Sequence, residues 1–327
     1  MFTSTPIRLF QALAICAPLM FYACGGGEAP PAESSAPGAA HDPAAHDAAA
    51  HDPAAHAAPL AGGWTTSEGI ATPESVYYDA ASGFVFSSQI DGMPDGRDGN
   101  GRIVKLGGDG HVVAADWVTG LNAPKGLRSH DGTLWTADLD EVVGIDIGSG
   151  KVTSRVKIDG AQFLNDVAVD AGGTVYVSDM MANRIYSVRD GKASVFAEGE
   201  QLEWPNGLLV DGNRLIVGGW GKPKADFSTD VPGRLFALDL QTKQKTLITP
   251  KPFANIDGLE LDGRGGYIVT DYLKGKVMQV SAAGEARDLR TFKPGTADLG
   301  FAPPAVALVP HMNENRVASY DLSDVLK

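Results

Sequence analysis

Along most of this chain, apolar and polar residues alternate with a period of two, in short runs separated by turn residues. That is the pattern of half-buried strands rather than helices. The segment FLNDVAVDAGGTVYVSD, residues 163–179, shows it clearly. Its runs Val167-Ala168-Val169 and Val175-Tyr176-Val177 flank Asp170-Ala171-Gly172-Gly173, and the glycine pair supplies the positive φ that a tight hairpin turn needs. The design recurs as WPNGLLVDGNRLIVGGW at 204–220 and NIDGLELDGRGGYIVTDY at 255–272, each time with a carboxylate or carboxamide ahead of the first run.

Aligned on that leading polar residue, six units emerge: PESVYYDAASGFVFSSQ from Pro73, PKGLRSHDGTLWTAD from Pro124, NDVAVDAGGTVYVSD from Asn165, PNGLLVDGNRLIVGG from Pro205, IDGLELDGRGGYIVTD from Ile256 and ADLGFAPPAVALVP from Ala297. A second strand pair follows each, as at 102–106 and 112–117. Four strands per unit of about 40 to 50 residues is the signature of a propeller blade. The predicted fold is therefore all-β: a six-bladed β-propeller of four-stranded antiparallel blades over residues 63–327. The last unit lacks its fourth strand, and one is spare at 64–70. That N-terminal strand is expected to complete the last blade, closing the ring and removing two open sheet edges.

Equivalent positions in the six units are Glu74, Lys125, Asp166, Asn206, Asp257 and Asp298, with Asn165 one residue earlier. Innermost strands of a propeller start at the top of the central channel, so these side chains are expected to form a polar ring there. The first and fourth units carry insertions, 91–101 and 221–233, between their second and third strands, which places both at the channel mouth. Within the ring, Glu74, Asn165, Asn206 and Asp257 offer two carboxylates and two carboxamide oxygens. Such hard donors suit Ca²⁺, with Mg²⁺, Mn²⁺ or Zn²⁺ accommodated less comfortably. Asp and Asn before a strand are also common turn residues that cap the loop; four oxygen donors in register across separate blades favour the metal reading.

Composition adds limits. A formal net charge of -13, with no run of Lys or Arg to neutralise phosphates, argues against nucleic-acid binding. The cysteines are Cys16 and Cys24, so the folded part has neither a disulfide nor a thiol nucleophile. Residues 1–24 read as a signal peptide, since an apolar run of about 15 residues is too short to span a bilayer. Ala23-Cys24 resembles a bacterial lipobox, although Phe21 and Tyr22 depart from its pattern; a plain cleaved signal is the alternative. The expectation is an exported, periplasmic or cell-envelope lipoprotein that touches a membrane only through a lipidated Cys24.

Residues 25–62 are rich in Ala, Pro, His and Asp, with almost nothing to bury, and are expected to form a disordered tether. Within it His41, His46, His51 and His56 stand beside Asp42, Asp47 and Asp52. A soluble spacer is the favoured reading; weak transition-metal binding is the other. The protein is expected to be monomeric, with a small-molecule substrate.

FLNDVAVD, WPNGLLVD, NIDGLELD and PESVYYD resemble the corresponding segments of the senescence-marker/gluconolactonase (regucalcin-like) family and its six-bladed relatives, the paraoxonases and diisopropyl fluorophosphatase. The resemblance runs from about residue 63 onward. It implies a divalent-metal hydrolase of lactones or related esters, with Glu74, Asn165, Asn206 and Asp257 holding the metal. Two departures leave the substrate open: Phe163 stands where sugar-lactonase members often carry an Arg, and Lys125 where paraoxonases carry a His. In the resulting mechanism Asp166 or Asp257 takes a proton from water, and Lys125 adds positive charge near the oxyanion. Lys125 has a competing role, neutralising Asp166 and Asp298 across the ring. The rival class is a non-catalytic propeller that binds a ligand or partner, with Trp220 and Phe227 available for stacking.

Overall fold

The computed structural model describes residues 59–326. The apolar N-terminal run, Cys24 and the His/Asp repeat lie outside the described residues. Six four-stranded antiparallel sheets make up the domain. Their innermost strands are Pro73–Asp79, Pro124–His130, Leu164–Val169, Pro205–Asp211, Ile256–Leu261 and Gly300–Ala302, for blades one to six in turn. Among the described residues the only helical turns are the short 3-10 segments Glu200–Leu202 and Met312–Glu314.

Alternation buries one side chain in two on each sheet face, and the apolar faces of neighbouring blades meet in pairs. Phe86 and Ile103 of blade one pack with Leu127 and Leu134 of blade two, and Leu209 and Ile216 of blade four with Ile256 and Val269 of blade five. An equivalent cluster fills each of the other blade interfaces, including the one that joins blade six to blade one through Val76, Leu308 and Val317. Burial is thus distributed around the ring, and the axis is left to polar residues.

Blade six takes its outermost strand from the N-terminal side, with Thr65 opposite Ala318 and Thr66 opposite Val317. The ring closes as expected, but by a shorter strand than residues 64–70. Ile70 turns back onto the Ser67 carbonyl, and Gly69 sits at φ +68, a backbone state that ends extended pairing.

Every inner strand carries one extra residue near its start. Pro73 pairs with Gln89 but Val76 with Ser87, and the same three-against-two count recurs at Pro124/Leu127, Leu164/Val167, Pro205/Leu208 and Ile256/Leu259. In blade six the bridge from Thr296 to His311 precedes Gly300 opposite Leu308, again one residue in excess. Such a bulge re-aims the side chains around it.

The bulge corrects the predicted ring. Counted from the pairing that opens each blade, the residues in phase are Glu74, Lys125, Asn165, Asn206, Asp257 and Ala297. Asp166 and Asp298 fall one step further on, in phase with Ser75, Gly126, Gly207 and Gly258. The glycines at that step have a steric cause. A methyl on Gly126 would fall against the Asp166 carboxylate and 2.6 Å from its Cα, and one on Gly258 would lie 3.0 Å from the Asp298 Cα.

Candidate functional site

A cavity of about 220 Å³ opens where the inner strands begin. Its polar lining consists of Glu74, Lys125, Asn165, Asn206 and Asp257, with Asp226 from the second insertion. Five blades therefore each contribute one in-phase side chain. Pro94 of the first insertion and Phe227 of the second also line it, so both insertions border the channel mouth.

Three of these polar residues are short of partners. Glu74 Oε2, Asn165 Oδ1 and Asn206 Oδ1 are buried, with no hydrogen-bond partner among the described residues. Leaving a buried acceptor unpaired costs its full desolvation, and three such oxygens, from three blades, line one cavity. Asn206 Nδ2 donates to Asp257 Oδ1 at 3.0 Å, which commits the amide nitrogen and leaves the carbonyl oxygen unpaired. Burial, reinforced by Asp257 and Asp298, raises Glu74 well above the usual carboxylate range. Burial and then Asp298 do the same to Asp257 against the Asn206 hydrogen bond. Two carboxylates and two amide oxygens fit a hard divalent ion, which would relieve both the repulsion and the unpaired oxygens. The donors depend on the two amides: among the described residues no group of three or more His, Cys, Asp or Glu is placed to hold a metal.

Lys125 is almost fully buried beside them. Its ammonium donates to Pro94 O at 2.9 Å and Ala123 O at 3.0 Å, and lies 4.6 Å from the centroid of the Phe163 ring. Burial brings its pKa down to about 8, with Glu74 opposing, so it remains mostly charged at neutral pH. Through Pro94 it also ties the first insertion to blade two.

Asp166 is placed differently from the prediction. It does not line the cavity; its Oδ1 accepts from Val167 N at 2.7 Å and its Oδ2 from Leu208 N at 2.6 Å. The bulge turns it into a clasp between blades three and four. Its pKa is raised to about 7 by burial, against Arg128 and those two amides. Asp298 likewise lies outside the cavity lining and accepts from Ser75 Oγ at 2.6 Å. The cation facing these two carboxylates is Arg128 rather than Lys125. Arg128 donates to Glu260 across the channel at 2.7 Å and stands 5.1 Å from the Tyr77 ring centroid. Although burial lowers its pKa, Glu260, Tyr77, Asp166 and Asp298 more than offset this and keep the guanidinium charged.

The rest of the lining is apolar or aromatic, and much of it escaped the sequence reading. Phe163, Met180 and Trp220 form one buried cluster, with Phe227, Tyr272 and Leu273 packed on it. Phe163 and Phe227 have centroids 5.8 Å apart, Trp220 and Tyr272 5.6 Å. No histidine lines the cavity. His311 is buried in blade six against Tyr320 OH at 2.9 Å, and burial lowers its pKa to about 4.

No protein family and no curated protein matches the sequence. Solved structures do match the fold. Catalytically inactive virginiamycin B lyase from Staphylococcus aureus with quinupristin is similar over 78% of this chain and 97% of that one, with a TM-score of 0.52 and 11% identity. A nidogen/laminin complex matches with a TM-score of 0.58 and 14% identity, over 69% of this chain and 88% of that chain. A streptogramin B lyase structure gives 0.53 and 11%, over 78% and 96%. The chain is thus a six-bladed β-propeller, a fold found both in enzymes and in a protein assembly; identity this low speaks for the fold alone.

Proposed function

We propose that this protein is a divalent-metal-dependent hydrolase of lactones or related esters, of the gluconolactonase-like propeller type. Glu74, Asn165, Asn206 and Asp257 would hold the cation, Ca²⁺ by the hardness of the donors. The observation that carries this reading is the set of unpaired buried oxygens on Glu74, Asn165 and Asn206, beside an Asp257 whose Oδ1 accepts from the Asn206 amide nitrogen. When bound, the cation supplies Lewis-acid polarisation of a carbonyl.

The chain's own groups do the rest. Asp257 lines the cavity and Asp166 does not, so Asp257 is the one of the two that would take a proton from attacking water. Lys125 has used two of its three ammonium protons on carbonyls, which leaves one for the oxygen that gains charge. The two insertions border the mouth through Pro94 and Phe227. The apolar run ahead of Cys24 supports export, with a lipidated Cys24 as the membrane anchor.

A non-catalytic ligand-binding role is the second reading, favoured by the aromatic lining. Metal content of the purified full-length protein and hydrolysis of a lactone and arylester panel with Ca²⁺, Mn²⁺ or Zn²⁺ decide between them. We expect about one cation per chain, since the ring supplies one set of donors, and activity that is lost on chelation and in Asp257→Ala. Metal-independent activity, or no turnover across the panel, would overturn the hydrolase.

A further inference from the structure

We infer that the cavity selects an uncharged, aryl-bearing lactone or ester over a polyhydroxylated one; the reacting group rests on the hydrolase reading, whereas the aryl preference rests on the lining. Beyond the ring residues, every lining side chain is apolar or aromatic except Asp226, whose Oδ1 already accepts from Ser228 N and Oγ. The polar atoms those side chains do carry are already engaged. Trp220 Nε1 donates to Phe227 O at 3.0 Å, and Tyr272 OH lies 3.3 Å from Met312 Sδ as its donor. Two of the three Lys125 protons are on backbone carbonyls.

A ligand with several hydroxyls would therefore lose its water and find few partners in return. The oxygens of Glu74, Asn165 and Asn206 do not repair this, because they are the donors the cation needs. An aromatic ring gives up no strong hydrogen bonds to water on entering and gains contact with the Phe163–Phe227 and Trp220–Tyr272 pairs, both tilted at 47°. Tilted rings present edges and faces that a further ring can meet in offset or edge-on geometry. The volume of about 220 Å³ is small beside the pockets of drug-sized ligands, which limits the ligand to one or two rings. Phe227, half-buried on the second insertion, gives the aryl group its outer contact.

The test uses the full-length protein with Ca²⁺ and two non-hydrolysable probes: a phenyl-substituted lactam and a polyhydroxylated lactam of the same ring size. Binding is followed by calorimetry and by tryptophan fluorescence, and hydrolysis of the matching lactones in parallel. The phenyl lactam is expected to bind at least about 10-fold more tightly and to change the fluorescence, because burying one ring exceeds the roughly 1.4 kcal/mol that a factor of ten represents. Phe163→Gln and Phe227→Ser should each shrink that preference while calcium binding persists; calcium binding also reports that each variant is folded. Equal or tighter binding of the polyhydroxylated probe, binding of neither, or a preference untouched by both variants overturns the inference. Tight phenyl-lactam binding without hydrolysis of any lactone supports it and removes the hydrolase reading instead. Preferred turnover of the polyhydroxylated lactone keeps the hydrolase and overturns the aryl preference.

Discussion

Arg128 on blade two and Glu260 on blade five meet across the central channel, Nη1 to Oε1 at 2.7 Å, with only 13% and 11% of their side chains exposed. The two blades stand opposite each other in the ring, so the ion pair spans the axis just beyond the candidate site. Removing one partner leaves the other charge buried, which costs about 3–5 kcal/mol. Glu260→Ala is expected to destabilise the domain by that order in urea unfolding. Replacing both, as Arg128→Met with Glu260→Leu, should cost less, since Asp166 and Asp298 can then take up protons. A double variant no more stable than Glu260→Ala would show that the pair is not what holds this layer.

Asp166 and Asp257 are separated by role. Asp257→Asn removes a ring carboxylate and should weaken calcium binding by at least about 100-fold, given that even outer partners of metal ligands are worth about 10–100-fold. Asp166→Asn keeps one acceptor for the amides of Val167 and Leu208 but loses the other. It should lower stability by about 1–3 kcal/mol while leaving calcium affinity within about tenfold, the low end of that outer-partner range. Isothermal titration and thermal melts on the same samples read both quantities; the reverse pattern would make Asp166 the ligand.

A cation held as proposed would compete with protons for the ring. Burial and mutual repulsion raise Glu74 and Asp257, and burial takes Asp166 from 3.8 to about 7. A carboxylate with a raised folded pKa holds its proton in the native state after the unfolded chain has released it. Its contribution is therefore present at low pH and lost as pH rises through the folded value. The metal-free protein should lose stability as pH rises from about 4 to about 7, and bound Ca²⁺ should flatten that slope. Calcium affinity should rise over the same interval, by up to about tenfold per pH unit for each proton displaced. Melting curves at several pH values, with calcium and with chelator, check the sign. A metal-free protein that gains stability toward neutral pH contradicts it.

The fold was legible because each blade repeats one hairpin rhythm, and Gly172-Gly173 or Asp211-Gly212 announces its turn. The identity of the in-phase residues was only partly legible. Counting from the leading polar residue put Asp166 and Asp298 in the ring, since simple alternation has no place for an extra residue. The bulge supplies that residue, and pairing partners such as Gln89 and Ser87 are what reveal it. It also explains why Arg128 and Glu260 were missed. Three residues apart, Lys125 and Arg128 would face opposite ways in an ideal strand, yet the bulge brings both to the axis. Tyr272 and Met180 lie just past strand ends, where no periodicity points to a cavity.

Blade six is built from both ends of the folded chain, as the hydrogen bond from Ser319 Oγ to Ala61 O shows across 258 residues. Contacts of such span are the slowest to form, because the intervening loop must be closed before they contribute. Five blades can assemble in order as the chain is made, but the sixth waits for its last strand. Until then blades one and five each present an uncovered flank, Val76 and Val85 on one side and Ile268 and Val277 on the other. A partly folded chain is therefore sticky at two places until blade six is complete, and that interval is when it has most need of a chaperone.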